Sequence, residues 1–101
     1  MVGVFVIFDF GDELDRERVV GVAEKARSTF EGMPELRLKL FTVDEERKRA
    51  TNVYVWESAT AAAQFFTAEL TERVTGLYGV RPRIEYVDIA AIVDNASVGV
   101  S

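Results

Sequence analysis

The 101 residues are 49% hydrophobic and 11% aromatic, which suits one core and is rich enough that some apolar surface is expected to be shared with a partner. A formal charge of −5 argues against a nucleic-acid partner, because phosphate binding needs a basic face, and the one basic run, Arg47-Lys48-Arg49, follows Asp44-Glu45-Glu46 and reads as a mixed-sign solvated loop. The absence of Cys and His removes disulfides, thiolate nucleophiles and metal ligands, the commonest general base at neutral pH and the usual axial ligand to haem.

Val2 to Phe10 is apolar on both alternations, as in a central strand covered on both faces. No basic residue precedes this run and Asp9 interrupts it, so it reads as neither an export signal nor a membrane span; a cytoplasmic protein with no membrane partner is the expectation. From about Asp15 a helix follows, with Asp15 as N-cap and Val19, Val22, Ala23, Ala26 and Phe30 as one buried stripe. Gly32 and Pro34 end it.

Glu35 to Ser58 reads as a hairpin, ELRLKLFTVDEERKRATNVYVWES. Leu36, Leu38 and Leu40 alternate with Arg37, Lys39 and Phe41. After about seven residues of charged loop, Val53 and Val55 alternate with Asn52, Tyr54 and Trp56. One face is aliphatic and the other carries two cations, an amide and three aromatics. Ser58 caps a second helix expected over 59–78, with Ala62, Phe66, Leu70, Val74 and Leu77 as its stripe. Gly79 and Pro82 punctuate the re-entry into a last strand from Arg83 to about Val93. Residues 1–93 form the expected domain and 94–101 a short polar tail that frays.

The order β-α-β-β-α-β predicts a ferredoxin-like α+β fold, in which two helices lie on one face of a four-stranded antiparallel sheet of order 4-1-3-2. The other sheet face is left uncovered. With Phe5, Ile7, Phe41, Tyr54 and Trp56 expected there, exposure would forfeit roughly 1.5–3 kcal/mol each, a sum comparable to a whole domain's stability. A homodimer closing two sheets over a pocket, as a dimeric α+β barrel, is the expected solution.

Three stretches are similar to the dimeric α+β barrel proteins, and within them to the small YdhR-like family of proposed mono-oxygenases: Leu36-Arg37-Leu38-Lys39-Leu40-Phe41-Thr42; Val53-Tyr54-Val55-Trp56-Glu57; and Phe66-Thr67-Ala68-Glu69-Leu70 followed by Tyr78-Gly79-Val80. The family often carries a His before Thr-Ala-x-Leu; Phe66 stands there in this chain. The resemblance implies oxygenation without flavin, metal or other cofactor, in which a small aromatic or polyketide-like phenol or enol is deprotonated and its anion passes an electron directly to O2. The protein would supply a dry aromatic pocket, a base or cation, and donors to the oxyanion.

Lys39 either stabilises such an anion or, on an edge strand, blocks strand addition. Asp9 is either a base of raised pKa or the first turn residue beyond its strand. Tyr54 and Trp56 either stack on a ligand and donate to its oxygens or pack a dimer core. Asn52 and Arg37 share their alternation as further donors or as solvent-facing polar positions, and Phe5 and Phe41 complete the expected substrate-binding face. No carboxylate pair at hydrolase spacing, Gly-rich phosphate loop or Ser-centred elbow is present. The alternative function is a non-catalytic small-molecule-binding or stress-related dimer using the same pocket; a barrel filled by its own side chains would leave an interaction role.

Overall fold

The computed structural model describes residues 1–98. In chain order it contains β1 (Val2–Asp9), a 3-10 turn (Gly11–Glu13), α1 (Arg16–Phe30), β2 (Leu36–Asp44), β3 (Arg49–Trp56), α2 (Ala59–Phe65), α3 (Ala68–Tyr78), β4 (Arg83–Asp88) and α4 (Asn95–Val98). The four strands form one sheet of order β2-β3-β1-β4, and every neighbouring pair is antiparallel. This is the ferredoxin-like α+β arrangement expected from the element order, with the expected spatial order read from the opposite edge.

Local chemistry accounts for the helix ends. Asp15 and Ser58 accept from the backbone N–H groups of Arg18 and Ala61, so α1 and α2 start at the expected caps. The helix expected over 59–78 is two helices. Phe66 leaves helical geometry at φ −87°, ψ 73°, and the Thr67 side chain then accepts from the Leu70 N–H. A fresh N-cap placed inside an otherwise helical pattern restarts the helix in a new direction. Leu77, expected in the buried stripe, is consequently exposed, and Tyr78 is the buried residue of α3. The hairpin turn is tighter than its charged sequence suggests, since only 45–48 lie between the strands, and Asp44 accepts from both the backbone and the guanidinium of Arg47. The last strand stops at Asp88 rather than near Val93. Of the expected polar tail, Asn95–Val98 form one helical turn, and 99–101 lie outside the described residues.

Strand register decides which face of the sheet is covered. Val2, Val4, Val6 and Phe8 stand opposite Trp56, Tyr54, Asn52 and Ala50, and all eight are buried beneath the helices with Val19, Ala61, Ala62 and Tyr78. The outer face carries Gly3, Phe5 and Ile7 of β1, and in register with them Val53 and Val55 of β3 and Val87 of β4. Leu38 and Leu40 of β2 share that face. A Cβ on Gly3 would sit 3.0 Å from Val87 Cγ2, so a larger residue here would require the Val87 side chain to give by a few tenths of an ångström.

The expectation that Phe41, Tyr54 and Trp56 line the uncovered face is therefore corrected: they face the helices, and the aliphatic alternation faces outward. A bulge separately shifts the start of β2. Leu36 pairs with Trp56 and Leu38 with Val55, so Arg37 is an extra residue that flips the alternation of β2. Phe5 and Ile7 do lie on the outer face, where Ile7 is already buried. The apolar surface left there belongs mainly to Leu38, Leu40 and Val87. Among the described residues no helix is long and apolar enough to cross a membrane.

Candidate active site

Lys39 is the chemical centre of the covered face. Strand β2 sets it opposite Tyr54, and its Nζ donates to the Tyr54 hydroxyl oxygen at 2.8 Å. The same Nζ lies 3.3 Å from the ring centroid of Phe30, 4.2 Å from that of Phe41 and 4.3 Å from that of Tyr54. An ammonium among three ring faces is attracted by their quadrupoles, yet it has given up most of its water. Burial pushes its pKa from 10.5 down to about 7, because the charged form loses hydration that no neighbouring carboxylate replaces. Burial, and secondarily the neighbouring Tyr78, pushes the Tyr54 phenol well above its ordinary value. The favoured state of the pair near neutrality is thus a neutral phenol beside an amine that gains or loses its proton readily.

A wall of rings continues inward from this pair. Tyr54 lies parallel to Trp56, with centroids 6.1 Å apart and planes 9° from parallel. Phe66 stands edge-on to Tyr54 at 4.9 Å, and Phe65 lies 5.1 Å from Trp56. Trp56 is 2% exposed, and its indole N–H has no acceptor among the described residues. An orphaned buried donor of this kind costs about 1–3 kcal/mol. Asn52 is buried rather than solvent-facing and donates to the Tyr78 hydroxyl at 3.3 Å, so its amide is held by the core.

Lys39 is reachable from outside along the seam between α1 and β2. One hollow of about 330 Å³ lies between Val20, Ala23 and Arg27 of α1 and Lys39–Val43 of β2. A second of about 310 Å³ continues it past Phe30 and Gly32 to Leu36. Arg27, Lys39 and Phe41 border both, so the two adjoin along one groove, each alone at the lower end of the size range for small-molecule sites. A third hollow of about 310 Å³ is bordered by Trp56, Met33, Gln64 and Phe65. A smaller one of about 180 Å³, beside Phe10 and Tyr78, is a packing seam where the Arg18 guanidinium donates to the Leu77 carbonyl and so satisfies the end of α3.

The structure thus brings Lys39, Phe41, Tyr54 and Trp56 together and separates the other expected site residues from them. Asp9 is the last residue of β1, neither a turn residue nor a neighbour of Lys39. Its carboxylate accepts from Arg49 and Arg83, each at 3.0 Å, in an exposed network on the outer face. Phe5 lies on the outer face, where it pairs with Val53. Arg37, displaced by the bulge, lies 4.0 Å from Glu57 and sits at the groove rim. Phe30, Phe65 and Phe66 enter the site without having been singled out for it. Their signal was the position of an aromatic at the end of a buried stripe and of an aromatic pair ahead of Thr67. Among the described residues no group of three or more carboxylates is assembled as a metal site.

No protein-family model and no curated protein sequence matches this chain. Among solved structures it is similar to a proposed antibiotic biosynthesis monooxygenase from Deinococcus radiodurans, with a TM-score of 0.59 over 93% of this chain and 97% of that one, at 14% sequence identity. The shared property is the fold. A likeness at that identity places the sheet and helices and leaves the chemistry to be argued from the side chains present here.

Proposed function

We propose that the chain is a cofactor-independent mono-oxygenase for a small electron-rich aromatic, with the reacting ring bound in the α1–β2 groove against Lys39. The observation that carries this reading is Lys39 itself: an amine of pKa about 7, caged by rings and bonded to a neutral phenol at the edge of a groove. Support comes from the fold shared with the Deinococcus protein and from the likeness of the Lys39 and Tyr54–Trp56 strands to the YdhR-like group.

In this reading the uncharged amine takes the proton of a phenol or enol and becomes an ammonium paired with the resulting anion. The anion passes one electron to O2, the radical pair combines to a peroxide anion, and the Lys39 ammonium returns its proton to give a hydroperoxide. Loss of water then leaves a carbonyl, so one oxygen atom enters the product and the other leaves as water. The rings of Phe30 and Phe41 exclude solvent from the anion, and the Lys39 ammonium remains beside its oxygen. A second copy of the chain covers Leu38, Leu40 and Val87 on the outer face, which keeps the sheet rigid under the site without lining it.

The test is O2 uptake by the pure protein with anthrone or hydroquinone-type substrates. Uptake that falls at least a hundredfold in Lys39→Ala supports the proposal, and uptake unaffected by that substitution overturns it. Binding that quenches Trp56 fluorescence, with ligand recovered unchanged by mass spectrometry, would instead assign a non-catalytic carrier.

A further inference from the structure

We propose that Lys39 is also a covalent capture site for small aromatic aldehydes, forming an imine with Tyr54 as its proton donor. The inference does not depend on oxygen chemistry and survives if no O2 is consumed. It rests on the juxtaposition of a reachable amine, apolar ring faces and a hydroxyl 2.8 Å away. The rings seat a flat apolar carbonyl compound against Nζ. The hydroxyl is placed to move a proton on and off the atom that departs.

The step balances without any redox change. The amine lone pair attacks the carbonyl carbon, a C–N bond forms, and the C–O π electrons move to oxygen. A proton passes from nitrogen to that oxygen to give a carbinolamine. Tyr54 then donates its proton to the departing hydroxyl, which leaves as water, and recovers a proton from nitrogen. A C=N bond and one water remain. Neutral amine is the reacting form, and a lysine of pKa about 7 holds roughly a thousandfold more of it at pH 7 than an ordinary lysine. The charged groups along the groove are engaged elsewhere: Arg27 of α1 pairs with Glu24 and Glu31, and Arg37 of β2 pairs with Glu57. None of these pairs includes Nζ.

The sequence offers a clean comparison, because its lysines are Lys25, Lys39 and Lys48. The full chain is incubated at pH 7 with benzaldehyde and cyanoborohydride, and the reduced adducts are located by peptide mass mapping, which also separates the N-terminal amine. The expected result is benzylation of Lys39 at least tenfold faster than of Lys25 or Lys48. Its rate should level off just above pH 7 while theirs keep climbing beyond pH 9. Equal labelling of the three, or a Lys39 rate that also climbs beyond pH 9, overturns the proposal. Tyr54→Phe should slow the Lys39 adduct at least fivefold, and an unchanged rate removes Tyr54 from the step.

Discussion

Lys39→Met keeps an unbranched stem in place and removes the charge, so it isolates what burying an ammonium costs. In the unfolded chain Lys39 titrates near its ordinary value of 10.5; in the fold it titrates at about 7. Between these values the unfolded state binds the extra proton, so stability rises with pH across that window, by up to about 1.4 kcal/mol per unit. Below pH 7 both states are protonated and the full penalty is present, on the order of 4 kcal/mol. Above about pH 10 it is gone. The window is unusually free of other titrations, since the chain has neither His nor Cys. At its upper end the phenols take over: burial raises Tyr54, Tyr78 and Tyr86, so above about pH 10 the unfolded state loses protons first and stability falls again.

Methionine removes the whole Lys39 contribution at a cost of its own, because the Tyr54 hydroxyl loses Lys39 Nζ as a partner, worth about 1–3 kcal/mol. The variant should therefore be more stable than the parent at pH 6 by roughly 1–3 kcal/mol, and no more stable, or less so, at pH 10. Urea unfolding followed by Trp56 fluorescence at one fixed protein concentration measures both curves. A difference between parent and variant that stays constant from pH 6 to pH 10 would refute the assignment of a low-titrating buried amine.

Other substitutions probe separate parts of the structure. Trp56→Phe should cost under about 1.5 kcal/mol, because relief of the orphaned N–H offsets lost ring area; a loss above about 3 kcal/mol by circular dichroism melts would mean that the indole nitrogen has an unseen partner. Leu40→Glu places a charge on the exposed outer face and should convert a dimer to a monomer in sedimentation without unfolding it; a variant that sediments with the parent would show that this face is not the contact. Ala62 is wholly buried where α2 meets the sheet, so Ala62→Leu should overpack it and lower stability by about 1–3 kcal/mol, whereas an unchanged urea midpoint would mean that α2 is not firmly docked.

Strand existence, antiparallel order and helix caps were legible because each rests on local chemistry: alternation in β1 and β3, Asp15 and Ser58 ahead of apolar periods, and a short charged turn that can only join neighbours. Which face of the hairpin lies under the helices was not legible. Both faces are apolar, and a period of two has no sign until one residue is anchored to a helix. The anchor is supplied by β1, whose Val4 and Phe8 are both 0% exposed and whose register with β3 carries Tyr54 and Asn52 inward with them. The bulge at Arg37 compounds the difficulty, because a single extra residue separates Arg37 from Lys39 without leaving a Gly or Pro to mark it. Once the rings turn inward, the role of Lys39 becomes sharper. An edge-strand lysine that blocks pairing would keep its ammonium in water, whereas this one lies on the covered face and bonds to Tyr54 on the neighbouring strand. A fold that only needed a solvated edge would lose nothing by keeping that charge outside, so the cost of drawing it among Phe30, Phe41 and Tyr54 is the feature on which the proposed chemistry rests.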